Sequence, residues 1–383
     1  MEMDAGTTYA TAAQRGPLEA RRRRPRVRDW IIGIFAGAIM ALLFGHGLAP
    51  EAAGIALVIE SFLPWVGAAI AALLMVALLS KAWVGAIPVV VALVSWGLVF
   101  LPVLMTGAVP ASAAGTSEAA AGGLTVVTQN LRAGNPDAEA AVEKLIESDA
   151  DVVVLQELTG PALARISPLM DGTFGHRQLA GTVGVWSRFP LGQGEPLTLG
   201  LGWSRAVSVQ LESPAGPVQL YAVHLPSVRP GEVSSRNNGL AKLTEIVEAD
   251  PSPRILVVGD FNTANTDRAF APLLATLDDA RAGFGFTWPA RYPATRPDHI
   301  LFCGFTLTGA SVIASPGTDH LAALARLQPG TVPRPPLYHL LNRGIPYNLT
   351  LQKLFHVRDR TAHQPSAPWR SRGPRRIGTG NSL

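Results

Sequence analysis

Three long apolar runs dominate the first third of the chain. Residues 30–50 (WIIGIFAGAIMALLFGHGLAP) carry no acidic or basic side chain except one His, and 61–80 (SFLPWVGAAIAALLMVALLS) and 82–109 share the same character. Each is near or above the ~20 residues that a helix needs to cross a ~30 Å hydrocarbon core. The pattern therefore predicts three transmembrane helices within 30–109. The length of the first run, and the two behind it, argue against a cleaved signal peptide. Pro64, Pro88 and Pro102 are tolerable in such helices, where neighbouring groups re-satisfy the freed backbone. His46 and Glu60 are the ionisable groups a transport site would use, and both fall near an end of a run, so the spans read as an anchor.

From Leu124 the period changes to short β-branched runs alternating with amphipathic stretches. Strands are predicted over 124–131 (LTVVTQNL), 151–158 (DVVVLQEL), 181–190, 204–213, 216–227, 255–258 and, as one or two, 298–313. The pair 204–213 and 216–227 reads as a hairpin across SPAG. Helices are predicted over 136–148, with Asn135 as N-cap and Pro136 in the first turn, over 234–249 and over 268–280. Runs apolar throughout, such as VVVL, suit strands covered on both faces. Roughly 200 residues of this kind make one α/β domain with room for a substantial core. Residues 110–123 (PASAAGTSEAAAGG) read as a flexible linker.

Charge divides the chain further. Residues 1–29 hold seven Arg against four acids, 124–330 hold 15 basic and 20 acidic residues (net −5), and 331–383 hold nine basic residues against one acid. The overall net charge of +4 thus describes the ends, and it is no argument that the middle binds polyanions. The cluster RRRRPRVRDW (21–30) abuts the first apolar run, and Lys81 lies between the second and third. By the positive-inside rule the basic 1–29 segment stays cytoplasmic, 30–109 spans the membrane three times, and the chain from about residue 110 onward is extracytoplasmic. The protein is expected in the cell membrane as a multi-pass chain. The tail 329–383, rich in Pro and Arg, cannot bury a core and reads as disordered, with one short helix expected over Tyr338–Phe355. The lone Cys303 excludes an internal disulfide.

Polar side chains fall at the ends of the apolar strands. Gln129–Asn130 closes the first, Gln156–Glu157 the second, His224 the hairpin strand, and Asp260 and Asn262 the 255–258 strand; Asp298–His299 and Asp319–His320 begin or precede later ones. A buried carboxylate is costly unless paired or metal-bound, so one shared polar pocket explains these positions together. Carboxylates and carboxamides without cysteine are hard oxygen donors, suited to Mg²⁺ or Mn²⁺. Such a cation beside an Asp–His pair that activates water is what phosphate-ester hydrolysis asks for.

The ordered series TQNLR, DVVVLQE, SRFPL, YAVHLPS, VVGDFNT, TWPA…RPDHIL and TDHLAALARL resembles the endonuclease/exonuclease/phosphatase family, the deoxyribonuclease I-like metallophosphoesterases, over residues 124–328. The resemblance implies a four-layer sandwich: two packed mixed β-sheets flanked by helices, here preceded by the three transmembrane helices. It implies metal-site roles for Asn130, Glu157 and Asp319, with Glu157 the principal ligand. It implies that His224 hydrogen-bonds the scissile phosphate, that Asp260 and Asn262 position nucleophile and phosphate, and that Asp298 orients His320 as general base. His299 reads as structural, and Arg236 and Arg188 as surface or structural. Pro297, Thr318 and Ala322 depart from the family's usual residues and leave the acid/base atoms in place.

The function expected is a membrane-anchored, Mg²⁺- or Mn²⁺-dependent phosphoesterase acting on phosphodiesters of nucleic acid or of phospholipid headgroups, with no obligate protein partner. The alternative is a catalytically silent receptor for phosphate or lipid headgroups on the same fold.

Overall fold

The computed structural model describes residues 25–51, 54–106, 122–227 and 233–330. The arginine cluster up to Arg24, most of the linker and the tail beyond Gly330, including the helix expected over Tyr338–Phe355, lie outside them.

The apolar region folds as α1 (Val27–Gly45), α2 (Ile55–Ser61), α3 (Val66–Leu79) and α4 (Trp83–Met105). Two stretches, Val27–Leu48 and Trp83–Met105, are each long and apolar enough to cross a membrane. The expected second span, 61–80, corresponds to the helix Leu63–Leu79, which meets α2 at 53°; this bent pair makes a third span if the two are taken as one. Pro64 sits at the break, where it has no N–H to give and its ring clashes with a continuing helix. Small residues fill the seams: Ala36, Ala77 and Ala92 are fully buried, which lets the helices approach closely.

The second region is built from β1 (Leu124–Asn130), α5 (Ala138–Ile146), β2 (Val152–Gln156), α6 (Gly160–Thr173), β3 (His176–Ala180), β4 (Val183–Ser187), β5 (Glu195–Leu197), β6 (Ala206–Ser213), β7 (Gly216–His224), α7 (Val233–Ala249), β8 (Ile255–Asp260), α8 (Ala271–Thr276), β9 (Asp278–Asp279), β10 (Asp298–Cys303), β11 (Phe305–Ile313) and β12 (Ala322–Pro329). They form two six-stranded sheets, in the orders β11-β12-β1-β2-β4-β3 and β5-β6-β7-β8-β10-β9. β1 and β2 run parallel, as do β7 and β8, while their outer neighbours are antiparallel.

The period-2 alternation of the strands explains the layering. Val126, Val152, Val154, Leu256 and Val258 point into the core between the sheets. Val127, Val153 and Leu155 point outward under α5 and α6, and Ile255 and Val257 point outward under α7 and α8. Both faces of each central strand are covered, which is why their sequences are apolar without alternation. The result is the expected four-layer sandwich.

Several local expectations need correction. The N-cap of α5 is Asp137, not Asn135; Asn135 instead accepts from Asp137 N at 2.8 Å and donates to Pro316 O, a turn ahead of the helix. The helix expected over 268–280 is confined to Ala271–Thr276. Arg268 is drawn away to carbonyls of residues 46, 47 and 49, and Asp278–Asp279 extends to pair with β10. The 298–313 run divides at Gly304. The pattern of the chain does not predict α6, β3, β5 or β12. Pro168 and Gly172 blur the helical pattern of α6, β3 is largely exposed, and β5 has only three residues.

Candidate active site

The strand directions gather the polar ends. In each parallel pair both strands finish at the same edge, so Asn130 lies opposite Gln156 just before Glu157, and His224 lies opposite Asp260. β10 runs the other way, so its first residue, Asp298, is paired with that same Asp260. β12 also runs the other way and begins two residues after His320. All of the polar strand ends therefore reach one rim of the sandwich. Gly259 makes this possible in β8: its φ is +147°, and a Cβ there would lie 1.9 Å from Val223 O.

One carboxamide joins the two sheets. Asn130 Nδ2 donates to Glu157 Oε1 at 3.2 Å and to Asp260 Oδ2 at 3.0 Å, while its Oδ1 accepts from Arg132 N. Glu157 Oε2 accepts from Ala133 N at 2.7 Å, and His224 Nε2 lies 3.9 Å from Glu157 Oε1. Asp260 Oδ1 accepts from Asn262 N at 2.8 Å, and Asn262 Nδ2 donates to Leu225 O. Glu157 (φ +57°) and Asn262 (φ +49°) both hold left-handed backbone, a conformation that costs a non-glycine residue free energy and clusters at functional sites.

The second half of the rim is a hydrogen-bonded dyad. His320 Nδ1 and Asp298 Oδ2 are 2.8 Å apart, and Thr287 Oγ1 donates to the same oxygen at 2.6 Å. Ligand atoms of Asp260, Asp298 and His320 all lie within 4.8 Å of one another. Gln129, buried beneath, donates to His320 O at 3.1 Å and fixes that backbone. Asp319 is exposed, and its carboxylate is not among those clustered atoms.

The electrostatics separate these groups. Burial opposes charge on His320, but Asp298, Asp260 and Asp319 outweigh it and raise its pKa to about 10. Burial pushes His224 down to about 4, outweighing the attraction of Glu157, and the smaller repulsions of Arg205 and His320 act in the same direction as burial. Burial and the neighbouring Asp298 charge raise Asp260 to about 7. Glu157 is lowered: desolvation is outweighed by the Ala133 N–H, Asn130 and the two imidazoles.

The donor set fits a hard divalent cation. It offers carboxylates and a carboxamide without thiolate, and Asp298 Oδ1 is buried with no hydrogen-bond partner among the described residues. The eight residues singled out from the sequence thus all map to this rim, with Asp319 at its solvent edge. His299 lies behind it, fully buried against Phe261 and Phe270, with Nε2 3.0 Å from Thr263 O. Arg236 is buried in an ion pair with Asp267, and Arg188 pairs with Asp149 at the surface. Sequence reasoning misses Thr287 and notes Gln129 only as a polar strand end, with no role for it, although the two belong to the motifs TWPA and TQNLR.

A sequence profile of the Endonuclease/Exonuclease/phosphatase family matches residues 127–320, just over half of the chain. No curated protein matches it. Similar solved structures include humanized D. rerio TDP2 (17% identity, TM-score 0.47, covering 54% of this chain and 99% of that one). Others are an endonuclease/exonuclease/phosphatase from Beutenbergia cavernae (22%, 0.45, 55% and 72%) and D. rerio TDP2 complexed with a single-strand DNA product (18%, 0.47, 54% and 99%). On the profile match, the chain belongs to the endonuclease/exonuclease/phosphatase family and is a hydrolase acting on ester bonds.

Proposed function

We propose that this chain is a membrane-anchored, divalent-cation-dependent phosphodiesterase. The observation that carries the reading is the convergence of Asp260, Asp298 and His320 within 4.8 Å, tied through Asn130 to Glu157. Glu157, Asn130 and Asp260 would hold Mg²⁺ or Mn²⁺, with Asp319 open to a cation from the solvent side. When bound, the cation would polarise a phosphoryl oxygen and neutralise developing charge.

The remaining roles follow from the residues themselves. Asp298 holds the Nδ1–H of His320 and leaves Nε2 to take a proton from water. A base must be neutral to act, and His320 would reach that form more readily with a cation held at Asp260, whose positive charge would oppose the carboxylate field on the imidazole. His224, kept neutral by burial, has an N–H to give to a phosphate oxygen without carrying charge. Asn262 Oδ1 and Asp260 orient the attacking water.

Substrates of two kinds fit, the phosphodiesters of nucleic acid and those of phospholipid headgroups. The net −5 of residues 124–330 disfavours strong non-specific polyanion binding, and tethering to a bilayer raises the local headgroup concentration. The positive-inside argument places the domain outside the cytoplasm, on the side where α1 and α4 end and α3 begins. In support, the domain's contacts with the membrane region involve those ends, at His46, Glu60, Trp65, Phe100 and Thr106.

The test is turnover by the full chain in detergent with Mg²⁺ or Mn²⁺, against bis-p-nitrophenyl phosphate, plasmid DNA and phospholipid vesicles. Glu157→Gln and His320→Gln should each lower kcat by about 10² to 10⁴-fold with the fold retained. An intact, cation-binding protein that turns over none of them would support the receptor reading instead.

A further inference from the structure

Residues 283–297 join the membrane helices to the catalytic dyad. On one side, Gly283 N donates to Thr106 O at 3.2 Å, just beyond α4. Phe284 then packs against the core of the membrane helices. Four rings form a column: Phe100 and Phe284 edge to face at 5.9 Å, Phe284 and Phe286 stacked at 5.2 Å and 3°, and Phe286 and Trp65 stacked at 5.9 Å and 17°. Trp65 Nε1 also donates to Ala294 O at 2.8 Å. Two of these rings belong to the membrane helices and two to the segment.

On its other side the same segment holds the dyad. Thr287, next to Phe286, donates to Asp298 Oδ2, and its carbonyl accepts from Leu321 N at 2.8 Å. Ala290 N donates to Asp319 O at 2.7 Å. The backbone on both flanks of His320 and the carboxylate that orients its ring therefore hang on a segment braced against the membrane helices. A mere tether needs neither contact.

We propose that the membrane helices are part of the active site's support, with Trp65, Phe284 and Phe286 acting as positioning residues for the Asp298–His320 dyad. The segment is rich in Gly, Pro and aromatic residues and lies outside the sheets apart from the Trp288–Thr295 bridge, so its shape depends on what it leans against. Loss of the brace leaves the cation-holding Glu157 and the phosphate-binding His224 in place and loosens the base. A misplacement on the order of 1 Å costs about 10²-fold in rate. The inference rests on the catalytic reading of the dyad.

The experiment uses the full chain in nanodiscs with bis-p-nitrophenyl phosphate and Mn²⁺, and measures kcat, KM and amide hydrogen exchange over 283–297 and at Leu321. Phe286→Ala and Trp65→Ala should lower kcat by about 10- to 100-fold, change KM by less than about threefold, and speed exchange at Thr287, Ala290 and Leu321. Phe286→Tyr should restore most of kcat. Trp83→Ala, an exposed tryptophan at the opposite end of α4, should match the unsubstituted protein. Inserted, folded Phe286→Ala and Trp65→Ala proteins with unchanged kcat and unchanged exchange would overturn the proposal. If the unsubstituted chain turns over no phosphodiester, the phosphodiesterase reading falls alone. Exchange then decides the brace by itself: faster exchange at those amides in Phe286→Ala sustains it, and unchanged exchange removes it.

Discussion

His224 and His320 are equally buried, at 7% exposure each, and both lie near carboxylates, yet their proton affinities move in opposite directions. Number and distance of charges decide it. His320 has Asp298 at 2.8 Å with Asp260 and Asp319 behind it, whereas His224 has Glu157 at 3.9 Å and a repelling Arg205. The consequence for stability has a definite sign. His320, raised from 6.5 to about 10, contributes stability that is complete below pH 6.5 and lost as pH rises through about 10. His224, lowered to about 4, makes the fold lose stability as pH falls from 6.5 toward 4. Asp260, raised from 3.8 to about 7, favours the fold at low pH and partly cancels His224 in that window. Above about pH 7 only His320 remains of the three. The cation-free protein in chelator should therefore lose stability between about pH 7 and 10, with a slope of at most about 1.4 kcal/mol per pH step. Urea midpoints in detergent measure it. His320→Gln should be flat over that range, and an equally steep fall in that variant would contradict the assignment.

At the scale of elements, the site exists because parallel strands buried on both faces stop at a common edge, and Gly259 governs how closely β7 and β8 meet there. Gly259→Ala must push Val223 O away, shifting the strand that carries Asp260. We expect a loss of at least about 1–3 kcal/mol, together with a fall in kcat larger than stability alone explains; thermal midpoint and kcat on the same sample test this. The same geometry shows what a sequence can disclose. Asn130, Glu157, His224 and Asp260 stand out because an apolar run turns polar within one or two residues, and the parallel pairing that unites them follows from runs without alternation. Asp298 and His320 are legible only through the ordered motif series, since one opens its strand and the other sits in a turn. Thr287 stays hidden: a threonine in GFGFTWPA has no periodicity behind it, and its partner is known only once the loop is folded. The N-cap of α5 is misread for a similar reason, because the Asn135 side chain is used in a turn to Asp137 N and on the distant Pro316 carbonyl.

Across the whole molecule, the apolar helices of residues 27–105 and the sandwich are joined by a buried charge. Glu60, 1% exposed, accepts from Arg268 Nε at 2.7 Å and from Arg268 N at 3.1 Å. His46 Nδ1 lies 3.3 Å from the same carboxylate. The Arg268 guanidinium also donates to the carbonyls of His46, Gly47 and Ala49, which close the end of α1. From sequence Glu60 and His46 are unremarkable groups at the ends of apolar runs, because the residue that gives them a purpose lies 208 positions beyond Glu60. Removing one partner of such a pair strands the other in a dry site, which costs about 3–5 kcal/mol, whereas replacing both by apolar side chains of similar size is often neutral. Arg268→Met should accordingly lower the thermal midpoint in detergent by more than the double variant Glu60→Leu/Arg268→Met does. The double variant separates two accounts of the junction. If the clamp serves only stability, activity in the double variant should match the unsubstituted protein; if it also seats the segment that holds the dyad, kcat should fall while the midpoint recovers. A double variant as unstable as Arg268→Met alone would mean that the carbonyl contacts of the guanidinium, and not its pairing with Glu60, hold the two regions together.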